Sequence, residues 1–358
     1  GLPLDHPDGP LVTCHRLQPF SAAYFQPGSG LFSYSVEDLQ ACAAAGGPPA
    51  RQPFVPGPIP LTADEAAVWS RTDLGRLLSF FANPARFLVR TRLGVRLEDP
   101  DAAPTDSEPF IIAGLERFDM GSTLVEHRLK GLPPGDAFAA LRAEGRLPHG
   151  TMGEVEFRDL WSEVDRFAGR LDALRTAGPL ESIDAQWDIA GFSLAVRLAG
   201  ISKNGCLRYR FGKLRAKDHL DLWLQHLALC LAEPGYDCQE SVMVCTDRTL
   251  RLKHVADSRS VLEDLLELYR RGLEQPLCFF PKSALEYARA RRRPTSEARA
   301  LGSARTVWEG SDAHRGEGTD PYFRRCFENL DPLGAEFMEL SQRVFDPLLD
   351  CAENERSA

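Results

Sequence analysis

Asn204-Gly205 falls between two runs, 191–201 and 205–211, in which apolar and polar residues alternate. Strand side chains alternate between faces, and Asn-Gly supplies the backbone angles of a tight reversal. The spacing therefore predicts two antiparallel strands joined at Ser202-Lys203-Asn204-Gly205. Helical spacing brackets this hairpin. Leu160, Val164, Phe167, Leu171 and Leu174 predict a helix near Asp159–Arg175; Leu220, Trp223, Leu224, Leu227 and Leu231 predict another over Lys217–Ala232. The pattern returns to strand at Glu240–Cys245 and Thr249–Val255. An antiparallel pair between helices excludes an all-parallel sheet, so the expected class is α/β with a mixed sheet flanked by helices.

The flanks differ in character. Residues 1–60 hold 11 of the 26 prolines and read as an irregular arm with one short helix at Val36–Ala45. Phe20, Tyr24, Phe25, Phe32 and Tyr34 predict that the arm lies against something. Thr72 or Asp73 is placed to cap a helix through Phe81, Asn83-Pro84 to restart one toward Arg92, and Gly94 to close it. From Ala85 to Leu97 there are arginines at 86, 90, 92 and 96 and no acid. An acidic, proline-bearing stretch follows at Glu98–Pro109. Ser260-x-x-Glu263 has the form of a capping box, opening a helix that Gly272 would end. The expected division is an arm at 1–60, a core at 61–275, and a helical or irregular extension at 276–358.

Composition narrows the function classes. The net charge of −9 gives no bulk signature of a nucleic-acid binder, so the local distribution of charge matters more. The longest charge-free stretch, Leu17–Val36, contains two prolines and two glycines, which is a loop composition and no membrane span. No basic-then-apolar leader opens the chain, and Gly1 in place of Met is the expectation for an excised piece or a tag remnant. The nine cysteines are an odd number with no C-x-x-C pair, which predicts free thiols in a reducing cytoplasm. Walker A, G-x-G-x-x-G and H-E-x-x-H strings are missing, so no cofactor is expected. His219 and His226 share a helix face, but with no third ligand in view they read as packing residues and not as a metal site.

The hairpin region lacks acid altogether. Between Ile189 and Ala216 there is no Asp or Glu, while Lys or Arg stands at 197, 203, 208, 210, 213 and 215. Metal-dependent nucleases need hard anionic oxygens to hold a divalent ion and activate water, and this segment supplies none. It reads either as a solvated basic face or as a surface for phosphate or a partner. A second basic run, Lys282–Arg305, has seven Lys/Arg against Glu286 and Glu297. Arg291, Arg292 and Arg293 directly precede Pro294, which suits a helix end for dipole reasons and also suits contact with DNA or a partner.

Six stretches in series resemble the C-terminal region of the RecC family, the gamma subunits of the RecBCD helicase–nuclease, exodeoxyribonuclease V. They are His15-Arg16-Leu17-Gln18-Pro19-Phe20-Ser21 with Tyr24-Phe25; Leu31-Phe32-Ser33-Tyr34; Asp73-Leu74 through Phe80, Pro84, Phe87 and Arg92-Leu93; Leu147-Pro148-His149-Gly150 with Gly153-Glu154; Asp218 with Leu222-Trp223-Leu224 and His226-Leu227; and Asp320-Pro321-Tyr322. Each is weak alone, and together they span nearly the whole chain in order.

The resemblance implies an inactive PD-(D/E)XK nuclease-like core. Active relatives carry an Asp near the end of one strand and a Val-Asp-Tyr-Lys-Thr-Gly-like string on the next. Here the first strand reads Val196-Arg197-Leu198-Ala199-Gly200-Ile201 and the second Leu207-Arg208-Tyr209-Arg210-Phe211-Gly212. Gly200, Arg208 and Arg210 are thus the implied vacant positions, with no catalytic residue and no metal ligand. A Gln and a Tyr on the following helix of active relatives would fall near His219 and Trp223. Some relatives also hold an iron–sulfur cluster on four cysteines, and the spacings here do not match. The implied role is a non-catalytic final third of a RecC-like subunit, holding RecB-like and RecD-like motor subunits together and lying near the point where duplex DNA is parted. Recognition of the Chi hotspot would lie outside this segment. Two alternatives stay open: a live metal-dependent nuclease using Glu154, Glu156, Asp184 or Asp188, and an unrelated α/β adaptor that binds protein through its basic face.

Overall fold

The computed structural model describes residues 13–45, 53–97, 114–175, 181–202, 205–232, 240–294, 296–312, 314–328 and 330–356. The acidic stretch expected at Glu98–Pro109 and the turn residues Lys203 and Asn204 lie outside them. The chain divides into two compact units, Gly1–Pro53 and Phe54–Ala358. In the first, helix α1 (Val36–Ala45) forms where expected and has no buried residue.

The second unit is built on a sheet. Helix α2 (Ala63–Trp69) opens with a capping box between Thr62 and Glu65, and strand β1 (Arg71–Asp73) follows. Asp73 caps α3 (Leu74–Ala82) by accepting from the Arg76 N–H at 2.8 Å. Asn83 caps α4 (Pro84–Arg86), with Pro84 at the first position, where no N–H is needed. A π-type turn, Phe87–Arg92, carries the chain on to Gly94 at φ +73°. Then come α5 (Gly114–Leu129), α6 (Pro134–Ala143) and α7 (Thr151–Leu174), the last starting eight residues earlier than its apolar spacing indicates.

Next come β2 (Glu181–Ile189), β3 (Phe192–Ser202), β4 (Gly205–Tyr209), α8 (Ala216–Leu231), β5 (Glu240–Val244) and β6 (Arg248–Lys253). Helices α9 (Ser258–Glu274), α10 (Pro281–Arg291) and α11 (Glu297–Glu309) follow, then a small hairpin of β7 (Gly310–Ser311) and β8 (His314–Arg315). Helices α12 (Pro321–Cys326) and α13 (Ala335–Cys351) lead into β9 (Ala352–Arg356).

The main sheet runs β1-β3-β4-β5-β6-β9, with β2 also on β3. Pairing is mixed: β2·β3, β3·β4, β5·β6 and β6·β9 are antiparallel, while β1·β3 and β4·β5 are parallel. Alternation places its side chains on two cores. Leu207, Val242 and Val244 join α5, α6 and α7 on one face. Leu194, Val196, Met243, Leu250 and Leu252 join α3, α8 and α9 on the other. Helix α8 is apolar on nearly every side because the sheet, α3, α9 and α10 surround it; Trp223 and Leu227 are fully buried there.

Two local expectations are corrected, and one strand is added. Strand β2 is not among the expected elements, although Ile183, Ala185, Trp187 and Ile189 alternate with Asp184, Gln186 and Asp188 in the period of a half-buried strand. Helix α9 begins at Ser258, so Ser260 and Glu263 lie within it and form no capping box. Gly272 does not end that helix: it is buried in its last turns, where an added Cβ would lie 2.3 Å from ring atoms of Phe80. That close approach puts Phe80 edge-on to Phe81, Phe87 and Tyr269.

Candidate functional site

The acid-free hairpin forms the centre of the sheet, and two of its basic residues, Arg208 and Arg210, are committed to the fold. On β3, Phe192, Leu194, Val196 and Leu198 are buried in strict alternation, and then the phase slips so that Ile201 is buried. Gly200 causes the slip. It sits at φ +68°, a conformation costly for any residue with a Cβ, and the β2·β3 register shifts beside it. The bulge leaves the Ala199 carbonyl without its ladder place, and Arg208 takes it. The Arg208 Nη2 donates to Ala199 O at 2.8 Å and its Nε donates to Gln225 Oε1 at 2.7 Å. Gln225 in turn donates to Asp221 Oδ1 at 2.7 Å. Arg208 thus ties the bulge of β3 to α8 across β4.

Arg210 is held similarly. Its Nη1 donates to Lys213 O at 2.6 Å and stands 3.7 Å from Asp218 Oδ2, with the guanidinium 4.6 Å from the Phe118 ring centre. Asp218 accepts from the Arg215 N–H at 2.8 Å, and burial holds its carboxyl above the ordinary range in spite of these partners. Gly200 and Arg208 therefore meet, and Arg210 makes its own cluster at the start of α8. Gly200, Cys206, Arg208, Tyr209 and Arg251 line a cleft of about 580 Å³ beside the bulge. Burial pushes the Cys206 thiol up, away from reactivity.

The acids that could substitute for a metal site do not converge. Asp184 pairs with Arg197 across β2·β3 at 3.1 Å, both side chains well exposed, and Asp188 lies farther along the same strand opposite Ser193. Glu154 and Glu156 are on the first turns of α7, Glu156 facing Arg117. Among the described residues no group of three or more His, Cys, Asp or Glu side chains could hold a metal ion.

His219 and His226 are fully buried. His219 bonds Arg215 O at 2.9 Å and Arg289 Nη2 at 2.8 Å; a carbonyl only accepts and a guanidinium only donates, so the hydrogen is on Nδ1 and the ring is neutral. His226 bonds Ser241 Oγ and Lys253 O. The residues that reach the bulge from α8 are Asp221 and Gln225, one turn apart, and not His219 and Trp223. Their sequence signal is a polar pair four apart in an otherwise apolar helix.

Of the second basic run, Arg291 pairs with Asp346, and Arg292 pairs with Asp350 at 2.6 Å and donates to Asp346 O at 2.9 Å. Arg291, Arg292 and Arg293 are all exposed at the end of α10.

The second unit is thus a helix-flanked mixed α/β domain whose central hairpin is tied by arginine. A family model, the RecC C-terminal domain, matches residues 69–292. The chain is 31% identical over 350 residues to the RecBCD enzyme subunit RecC of Escherichia coli, covering 94% of this chain and 30% of that protein. It is 27% identical over 356 residues to the RecBCD enzyme subunit RecC of Mycolicibacterium smegmatis, 93% of this chain and 32% of that protein. Against the same subunit of Mycobacterium tuberculosis it is 28% identical over 300 residues, 79% and 26%. The chain belongs to the RecC family and corresponds to its C-terminal domain. It spans about a third of the length of these relatives.

Proposed function

We propose that this chain is the non-catalytic C-terminal part of a RecC-like subunit. It scaffolds RecB-like and RecD-like motor subunits and guides DNA strands during double-strand-break repair and recombination in the cytoplasm, without a cofactor of its own. The observation that carries the reading is the set of contacts made by Arg208. Where a nuclease hairpin would aim a carboxylate at a metal, a guanidinium is locked to Ala199 O and Gln225. The order α7, three antiparallel strands, α8, then β5 parallel to β4 supports an inactive nuclease-like core within 61–275; in this reading 1–60 is an arm and 276–358 an extension whose last strand, β9, joins the core sheet. Exposed Leu17, Phe32 and Tyr34 in the first unit support a role in docking a partner, since water-facing apolar side chains in series favour burial by another chain. Arg291, Arg292 and Arg293 are its candidate DNA or subunit contacts.

Incubation of the purified chain with labelled single- and double-stranded DNA and magnesium or manganese tests the catalytic part. No degradation is expected. Degradation abolished by Asp184→Ala or Asp188→Ala would establish the live-nuclease alternative instead.

A further inference from the structure

A second cleft, of about 600 Å³, opens between the start of α3–α4, the start of α8, the start of α10 and the β8–α12 connection. Four separate segments bring cations to its walls: Arg86, Arg215, Lys217, Lys282 and Arg315. All five are exposed. Its two carboxylates are occupied by the fold. Glu317 is buried and accepts from Lys282 N, Ser283 N and Ser283 Oγ at 2.8–3.0 Å, closing the start of α10. Asp320 accepts from Tyr322 N at 3.0 Å and pairs with Arg86 at 2.6 Å. The described lining of the cleft therefore sets five cations against two carboxylates in a chain whose net charge is −9, and Lys217 and Lys282 stand exposed in it. Cations drawn from four segments around one hollow focus a field toward an anion, which a solvated helix face does not.

We propose that this cleft binds the phosphodiester backbone of single-stranded DNA, with Lys217 and Lys282 as its principal phosphate contacts. The proposal rests on the DNA-guiding reading above and locates it at a site separate from Arg291–Arg293. The cleft has the size of a small-ligand pocket, so one strand can lay its phosphates along it while a duplex meets only the rim. Ser79, Asn83 and Thr319 between the cations are polar, and Phe323, the aromatic residue of the described lining, is buried and offers no ring face for a base to stack on, so recognition is by phosphate and is indifferent to base sequence.

The test is anisotropy of a fluorescein-labelled oligo-dT with the wild-type chain, with Lys217→Gln/Lys282→Gln, and with Arg291→Ala/Arg292→Ala/Arg293→Ala, over a salt series. Both lysines are exposed, so unchanged circular dichroism and melting are expected and are checked first. If both contact phosphates, the double variant loses about 1.4 from the slope of log K against log salt, and binds roughly 25-fold more weakly near 0.1 M salt. The proposal falls if the double variant keeps the wild-type affinity and slope while the triple arginine variant loses them; the DNA-guiding reading then survives at Arg291–Arg293. It falls also if the double variant binds DNA normally but assembles poorly with partner subunits, which assigns the cleft to an acidic protein segment. Absence of DNA binding by the wild-type chain and by the assembled complex alike overturns both readings.

Discussion

The guanidinium of Arg208 fills the hydrogen-bonding gap that Gly200 opens in β3, reaching the neighbouring Ala199 carbonyl at 2.8 Å. The same side chain meets Gln225 on α8, so its removal takes a charged donor from an exposed carbonyl and from a half-buried amide together. Hydrogen bonds to a charged group contribute about 1.5–3 kcal/mol, so Arg208→Ala should lower unfolding free energy by about 2 kcal/mol. In urea titrations, Gln225→Ala added to that variant should cost less than Gln225→Ala alone, with a coupling above about 0.5 kcal/mol. Strict additivity would show that the two do not act as a unit.

Trp223 is fully buried among sheet and helices. Trp223→Ala should destabilise by roughly 3–5 kcal/mol. A variant melting like wild type would show that α8 packs on a different face.

Gly272→Ala tests the contact with Phe80. Alanine is the better helix former by about 1 kcal/mol, but its Cβ would overlap the Phe80 ring, and overpacking costs about 1–3 kcal/mol. The expected sign is a lower melting temperature, partly restored when Phe80→Leu is added.

His219 predicts acid sensitivity. Burial, reinforced by the Arg289 charge and opposed by its bond to Arg215 O, lowers its pKa from 6.5 to about 4. Arg248 and Asp247 are the other charges near it. The unfolded chain then binds a proton that the folded chain refuses. The stabilisation is full above pH 6.5 and is lost as pH falls toward 4, about 3 kcal/mol in all. Chemical denaturation at pH 7 and at pH 4.5 measures it. His219→Gln should be less stable than wild type at pH 7 and lose less on acidification.

Replacing Arg291, Arg292 and Arg293 by Ala should cost little stability, since exposed ion pairs such as those with Asp346 and Asp350 contribute about 0–1 kcal/mol each. In the assembled complex the slope of DNA affinity against salt should fall by up to about 0.7 for each phosphate these arginines neutralise, with sequence preference unchanged. An unchanged slope with weakened assembly would make them subunit contacts.

What can be read from sequence is what local rules encode. The β3–β4 pairing, the buried face of α8 around Trp223, and the caps at Asp73 and Asn83 follow from spacing within a few residues. The same alternation runs through β2, where Ile183, Ala185, Trp187 and Ile189 alternate with Asp184, Gln186 and Asp188, so this strand too is encoded locally. Gly272 is ambiguous because a helix-ending glycine and a close-packed one look alike until Phe80, distant in sequence, is seen against it. At the site, Gly200 and Arg208 stand out in sequence for the acid they lack. Their partners Ala199 O, Asp221 and Gln225 require the fold, because a side chain's bond across strands leaves no periodic trace.

The pairing of β9 with β6 has a bearing on biosynthesis. Residues 248–252 find their neighbours at 352–356, about a hundred residues farther along. While the ribosome is still making α10 through α13, β6 offers an open row of amides and carbonyls that any stray strand can zip onto. Premature termination or proteolytic nicking just before Ala352 would leave that row bare, so such truncated chains should accumulate as aggregates even though every helix of the second unit has been synthesised.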